Sequence, residues 1–176
     1  NFFDSKIFVN LVPYNVSFDN EKEIKVSMGN AVFLENIPND VSENISINIK
    51  DYYYEVLVSS GTLPWSFSYS HLSIGNSHCI VFSKNSFDNK EKISDILNSL
   101  YDGSVNISFV LNTEEFVKAH DTSIILRVNE RGAGWTKSCG SGATATGAFI
   151  SRFMLLPENG SKKISELDII QEGGEL

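Results

Sequence analysis

E-R-G-A-G-W-T-K-S-C-G-S-G-A-T-A-T-G, residues 130–147, is the stretch on which the reading of this chain turns. A charged pair, Glu130 and Arg131, leads through glycines to Cys139, and Cys139 opens a run of small residues. From Ala143 to Ala148 the run carries no charge, and the first charge after it is Arg152. A helix without charge on any side is usually buried all round. The pattern predicts a helix from about Cys139 to Leu155, with residues small enough for strands to approach it closely. The fold class is therefore α+β: a curved, mostly antiparallel sheet wrapped around a central buried helix, and neither a sandwich nor a βαβ array.

The rest of the chain supplies the strands for such a sheet. Lys6–Val12 and Glu23–Met28 are rich in β-branched and apolar residues, and Gly29-Asn30 closes the second with a turn signal. Ile45–Ile49 alternates, I-S-I-N-I, as a half-buried strand does. Tyr52–Ser59, His78–Ser83, Val105–Leu111, Ile124–Val128 and Ile164–Ile170 complete the set. Ile93, Ile96, Leu97 and Leu100 stand at helical spacing and predict an amphipathic surface helix. Trp65, beside Pro64, reads as core or as a turn anchor.

With 176 residues, 41% of them hydrophobic and 20% charged, the chain is long and apolar enough to bury a core. Its formal charge of −8 argues against a nucleic-acid partner or an acidic membrane, each of which needs a basic face. Cys79 and Cys139 make neither a disulfide framework nor a zinc motif. No apolar run reaches the length of a membrane span, and N-F-F-D-S-K-I-F lacks the layout of a signal peptide. The expected compartment is the cytoplasm. The sequence opens on Asn1 and not on Met, which suggests a piece of a longer protein.

The chemistry gathers at Cys139. Gly140, Ser141 and Gly142 fall where the helix begins, and its first N–H groups have no intrahelical partner and face the positive end of the macrodipole. Glycine lets a ligand approach this backbone, so a carboxylate fits there; without a GK[ST] ending a nucleotide P-loop does not. The same field is expected to lower the Cys139 pKa. Glu130 would exchange the thiol proton, and Arg131 would hold a second carboxylate bidentately. Together these groups suggest proton transfer at a carbon beside a carboxylate. The composition equally allows Cys139 to be an inert buried residue. His78, in G-N-S-H-C, reads as structural or as an acid/base group. Asn76 and Asn106 read as turn or strand-cap residues, or as amides gripping carboxylate and ammonium. His71 and His120 read as surface residues.

Taken together these motifs resemble the diaminopimelate epimerase family. The matches are V-S-M-G (Val26–Gly29), I-P (Ile37–Pro38), S-I-G-N-S-H-C-I-V (Ser73–Val81), V-N-I-S-F (Val105–Phe109), L-R-V-N-E-R-G-A-G (Leu126–Gly134), C-G-S-G-A (Cys139–Ala143) and the final Q-E-G-G-E-L. They follow the family's order over nearly the whole chain. The resemblance implies two pseudo-symmetric lobes with the active site between them. Residues 25–176 would form the second lobe, and 1–24 the end of the first lobe or the inter-lobe segment. It also implies a cofactor-independent isomerase of lysine and peptidoglycan-precursor synthesis, interconverting LL- and meso-diaminopimelate with a thiol/thiolate pair. The substrate is then a small amino acid, and the family is often dimeric.

Carried over residue by residue, Cys139 is one thiol of that pair and Glu130 assists it. Asn76, Asn106, Glu130 and Arg131 would hold substrate, the backbone of Gly140 and Ser141 its α-carboxylate, and His78 would assist the other cysteine. That other cysteine is not in this sequence, since Cys79 lies inside the His78 motif. The chain is thus expected to be the second lobe of a longer enzyme, cut at both ends and inactive by itself. Trp135 replaces a common Glu, which questions one polar contact near the thiol, and Asn129 replaces a common aromatic. Rival readings are a proline-racemase-like isomerase of the same fold, a cysteine hydrolase using Cys139 and His78, and a non-catalytic carboxylate-binding domain.

Overall fold

A computed structural model describes residues 5–9, 12–19, 23–35, 42–59, 63–119, 123–155, 163–164 and 166–175, those up to 25 by backbone alone. Ile37, Pro38 and His120 lie outside the described residues. The chain divides into two compact units, Asn1–Asn30 and Ala31–Leu176. The first holds three strands, β1 (Ser5–Val9), β2 (Val12–Asp19) and β3 (Glu23–Val26), paired antiparallel in chain order. The strand expected over Lys6–Val12 is thus two: β1 ends at Val9 and β2 starts at Val12.

The second unit is built on one broad sheet. Its strands are β4 (Val32–Phe33), β5 (Ile45–Lys50), β6 (Tyr53–Val58), β7 (Trp65–Ser73), β8 (Ser77–Val81), β9 (Asn106–Val110), β10 (Ser123–Glu130), β11 (Gly134–Thr136), β12 (Asp168–Gln171) and β13 (Gly174–Glu175). The order across the sheet is β13-β12-β10-β9-β8-β7-β6-β5, with β11 against β10 and β4 against β7. Two neighbour pairs are parallel, β8 with β9 and β10 with β12; the rest are antiparallel. This is the curved, mostly antiparallel α+β architecture that the sequence predicts.

A parallel pair needs a crossover. Between β8 and β9 the crossover is a short 3₁₀ turn (Ser86–Asn89) and helix α1 (Lys90–Leu100). The sequence signal for α1 is borne out: Ile93, Leu97 and Leu100 are buried and pack with Cys79, Val81, Val105, Ile107 and Phe109. These strand residues alternate with His78, Ile80, Asn106 and Ser108, because successive side chains of a strand point to opposite faces. One face of the sheet therefore belongs to α1.

The other face belongs to α3 (Gly140–Phe153), which packs on β7, β8 and β9. Gly142, Ala143, Ala145, Thr146, Phe149 and Ile150 are buried. The outer side, with Thr144, Gly147, Ala148 and Ser151, is half-buried. Phe149 is fully enclosed against the rings of Tyr52, Phe82 and Phe153. Arg152, the first charge of the segment, lies over the rings of Phe33 and Tyr52. A third helix, α2 (Thr113–Ala119), packs on β10. No helix among the described residues is long and apolar enough to cross a membrane.

Candidate active site

The topology brings the chemical residues to one place. Strands β8 and β9 are parallel and in register, so His78 near the start of one lies beside Asn106 at the start of the other. Strand β10 runs antiparallel to β9 and ends at Glu130 over the same edge. Helix α3 then begins there, with Cys139 as its N-cap.

Cys139 has extended backbone, φ −145° and ψ 105°, and is 6% exposed. Its sulfur accepts the Gly142 N–H at 3.4 Å and lies 3.4 Å from the Ser141 Oγ. Ser141 Oγ accepts from Asn76 Nδ2 at 3.3 Å, which leaves its own hydrogen for the sulfur. Asn76 Oδ1 lies 3.1 Å from His78 Nε2. An amide oxygen only accepts, so His78 carries its proton on Nε2. His78, Asn76, Ser141 and Cys139 thus form one directed chain of hydrogen bonds ending on the sulfur. Asn76 reaches it from a tight turn, where Ile74 N–H meets Asn76 C=O at 3.2 Å and Gly75 takes a φ of 103° that favours glycine.

The helix start was expected to acidify this thiol, and the balance goes the other way. Burial raises the Cys139 pKa; Ser141 and Gly142 pull it down, and the Glu130 carboxylate, by charge and hydrogen bonding, pushes it up again. Desolvation of the thiolate outweighs the two donors. Burial also lowers His78 to about 4, against the pull of Glu130, so its ring is neutral at pH 7. Thr136 Oγ1 donates to Glu130 Oε1 at 2.5 Å and fixes that carboxylate.

Asn106 is built into the frame: its Nδ2 donates to Ser77 C=O at 3.2 Å, and its Oδ1 accepts the Arg131 N–H at 3.0 Å. Arg131 is exposed, and its Nη1 reaches Ser104 C=O at 3.3 Å. Of the first N–H groups of α3, Cys139 meets Gln171 Oε1, Gly142 meets the sulfur and Ala143 meets Cys139 C=O. The N–H groups of Gly140 and Ser141 have no acceptor among the described residues.

Two sequence expectations change here, those for His71 and Trp135. His71 is not a surface residue: it is buried, bonds Ser77 Oγ at 2.7 Å and lies against the Tyr101 ring, because its place on β7 turns it toward α1. Trp135 does not stand beside the thiol. It packs on Phe87 and Phe109, on the α1 face. Of the two readings of Trp65, core or turn anchor, the first holds: half-buried at the start of β7, it stacks on Phe67 and packs against the core. Sequence reasoning missed Thr136, the Ser141 hydroxyl and Gln171. A polar residue at the end of a strand such as Asp168–Gln171 was the available signal for the last.

No family model matches the chain. Curated proteins do match it. A diaminopimelate epimerase of Rickettsia massiliae is 32% identical over 135 residues, 70% of this chain and 47% of that protein. One of Rickettsia felis is 29% identical over 170 residues, 89% of this chain and 60% of that protein. One of Rickettsia conorii is 30% identical over 135 residues. This chain is a relative of the diaminopimelate epimerases. It spans about half the length of the curated relatives it matches. The identity is spread over most of the chain, as the resemblance of its motifs implied.

Proposed function

We propose that this chain carries one of the two proton-transfer groups of a cofactor-independent amino-acid epimerase acting on diaminopimelate. The observation that carries this reading is the setting of Cys139: a thiol at the N-cap of α3, next to Glu130, beside two backbone N–H groups that meet no acceptor among the described residues. The relatives named diaminopimelate epimerase support the substrate.

The chemistry follows from the arrangement. Removing an α-proton leaves an electron pair that spreads into the adjacent carboxylate. The Gly140 and Ser141 N–H groups, at the positive end of α3, would meet that growing charge. Cys139, protonated at neutral pH because it is buried, would deliver a proton to the carbanion. In the reverse direction its sulfur takes the proton from carbon, after Glu130 has accepted the thiol's own. Burial holds the resting proton on sulfur, so its passage to the adjacent carboxylate is the uphill step that readies the thiolate. Asn76, Asn106 and Arg131 would bind the polar ends of the substrate, and His78 would assist the opposite thiol.

Inversion needs a second acid/base on the other side of the carbon. Cys79 does not suit it: the thiol is fully buried on the α1 face, with its pKa pushed far up by desolvation. In this reading residues 25–176 are the second lobe, 1–24 the end of the first lobe or the inter-lobe segment, and another lobe supplies the second thiol. Two free cysteines suit a reducing compartment such as the cytoplasm. A hydrolase using Cys139 and His78 has less support, since His78 reaches the sulfur only through Asn76 and Ser141.

The test is solvent exchange. The intact protein in heavy water should place deuterium at the α-carbon of LL-diaminopimelate, and Cys139→Ala should lower that rate by roughly a hundredfold to ten-thousandfold, the usual range for a proton-transfer group. Exchange at the parental rate in a folded Cys139→Ala protein would remove this thiol from the mechanism. Exchange on proline instead would move the substrate class.

A further inference from the structure

Cys139 is held by its backbone as well as by its sulfur. Gln171, the last residue of β12, is 5% exposed. Its Oε1 accepts the Cys139 N–H at 2.9 Å, and its Nε2 donates to the Cys139 C=O at 3.5 Å. One side-chain amide thereby takes both polar groups of one residue, as a neighbouring strand does. The Cys139 C=O also accepts the first helical bond, from Ala143 at 2.9 Å.

A second clamp lies two residues on. Gly173 N–H donates to Lys137 C=O at 2.8 Å. A Cβ added at Gly173 would fall 3.1 Å from Ser138 Cβ, closer than ordinary packing allows. Segment 137–139 is therefore fixed twice against the β12–β13 turn. Strand β12 is itself fixed by its parallel pairing with β10, which ends at Glu130.

We propose that Gln171 is a positioning residue for the Cys139 sulfur: by holding the cysteine's backbone extended, it aims the sulfur at the Gly142 N–H and the Ser141 hydroxyl. This rests on the reading of Cys139 as the proton-transfer group, but its test does not require turnover. Without the clamp the φ and ψ of Cys139 are free to relax, and the sulfur leaves its two donors while staying near Glu130. The groups acting on the thiol are Ser141 and Gly142 from α3 and Glu130 from β10. His78 on β8 reaches it through Asn76, and Glu172 beside the clamp is engaged by Arg127 at 3.1 Å. Losing a donor to a thiolate moves its titration up by about one pH unit.

The experiment follows carbamidomethylation of Cys139 by iodoacetamide against pH, mapped by peptide mass, in the parent, Gln171→Leu and Gly173→Ala. Gln171→Leu should keep the far-ultraviolet circular dichroism of the parent, raise the midpoint by about one unit and slow alkylation at neutral pH about tenfold. Gly173→Ala, which displaces segment 137–139 without touching the amide, should move the midpoint the same way by less. A folded Gln171→Leu protein whose profile superimposes on the parent overturns the proposal. Should that variant not fold, Gly173→Ala decides alone, and an unshifted midpoint again overturns it. Solvent exchange on diaminopimelate tests the epimerase reading separately, so the two can fail independently.

Discussion

Two glycines of the same helix should respond to alanine with opposite signs. Gly142 and Gly147 both lie in α3, and neither has a positive φ. At Gly142 a Cβ would meet Ser108 Oγ at 3.2 Å, Val128 Cγ2 at 3.3 Å and Cys139 Cβ at 3.4 Å. Ser108 and Val128 are enclosed on central strands, so the helix start must yield and not the sheet. Overfilling a packed site costs roughly 1–3 kcal/mol, against a gain of about 1 kcal/mol in helix propensity. Gly142→Ala should therefore lose about 1 kcal/mol. At Gly147 a Cβ meets nothing within 4 Å, and Gly147→Ala keeps the propensity gain of about 1 kcal/mol. For a chain of this size 1 kcal/mol moves the melting temperature by about 2–4 °C, so the two variants should melt about 4–8 °C apart. Differential scanning calorimetry of both in one buffer reads the gap. The reasoning fails if both variants shift the same way by the same amount. Gly142→Ala should also slow alkylation of Cys139, since moving the first turn takes an N–H away from the sulfur.

Phe149→Ala, which empties a fully enclosed site among three aromatic rings, should cost about 3–5 kcal/mol in urea unfolding; a loss below about 1 kcal/mol would contradict its place in the core. Stability should fall between about pH 6.5 and pH 4, because burial lowers His71 and His78 to about 4 and the unfolded chain then binds the protons that the folded chain refuses. The shift amounts to at most on the order of 3 kcal/mol per ring, and a flat melting temperature from pH 7 to pH 4 would show both rings accessible. Above pH 9 stability should fall again, since burial raises Cys79 and the unfolded thiol ionises first. Trp135→Glu should leave the Cys139 alkylation profile unchanged, because the indole faces Phe87 and Phe109; a shifted midpoint would place it beside the thiol.

What the sequence disclosed follows the range of the forces involved. Helix α3 was legible because a charge-free run of small residues suits few other settings, and α1 because its apolar spacing is local. The alternation I-S-I-N-I marked β5 in the same way. Strand β7 carried an equally strict alternation, W-S-F-S-Y-S, which Pro64 and the turn reading of Trp65 obscured. Helix α2 is short and has charges at its start, so its pattern is weak. In the candidate site, residue types were legible and their couplings were not. That Asn76 would pass a hydrogen bond to Ser141, 65 positions away, depends on how β8 and α3 meet. The direction of the Cys139 shift was misread for a related reason: dipole and donors are visible in a local motif, whereas burial is the work of distant strands.

The amide that grips the Cys139 backbone comes 32 positions later in the chain. On a ribosome adding roughly 5–20 residues each second, the cysteine emerges some seconds before its holder does. During that interval the nascent polypeptide presents an ordinary, loosely oriented thiol. Its reactivity is set only when translation has passed Gln171, so until then the order of synthesis leaves this thiol with ordinary solution chemistry, and enclosure by the later strands changes it.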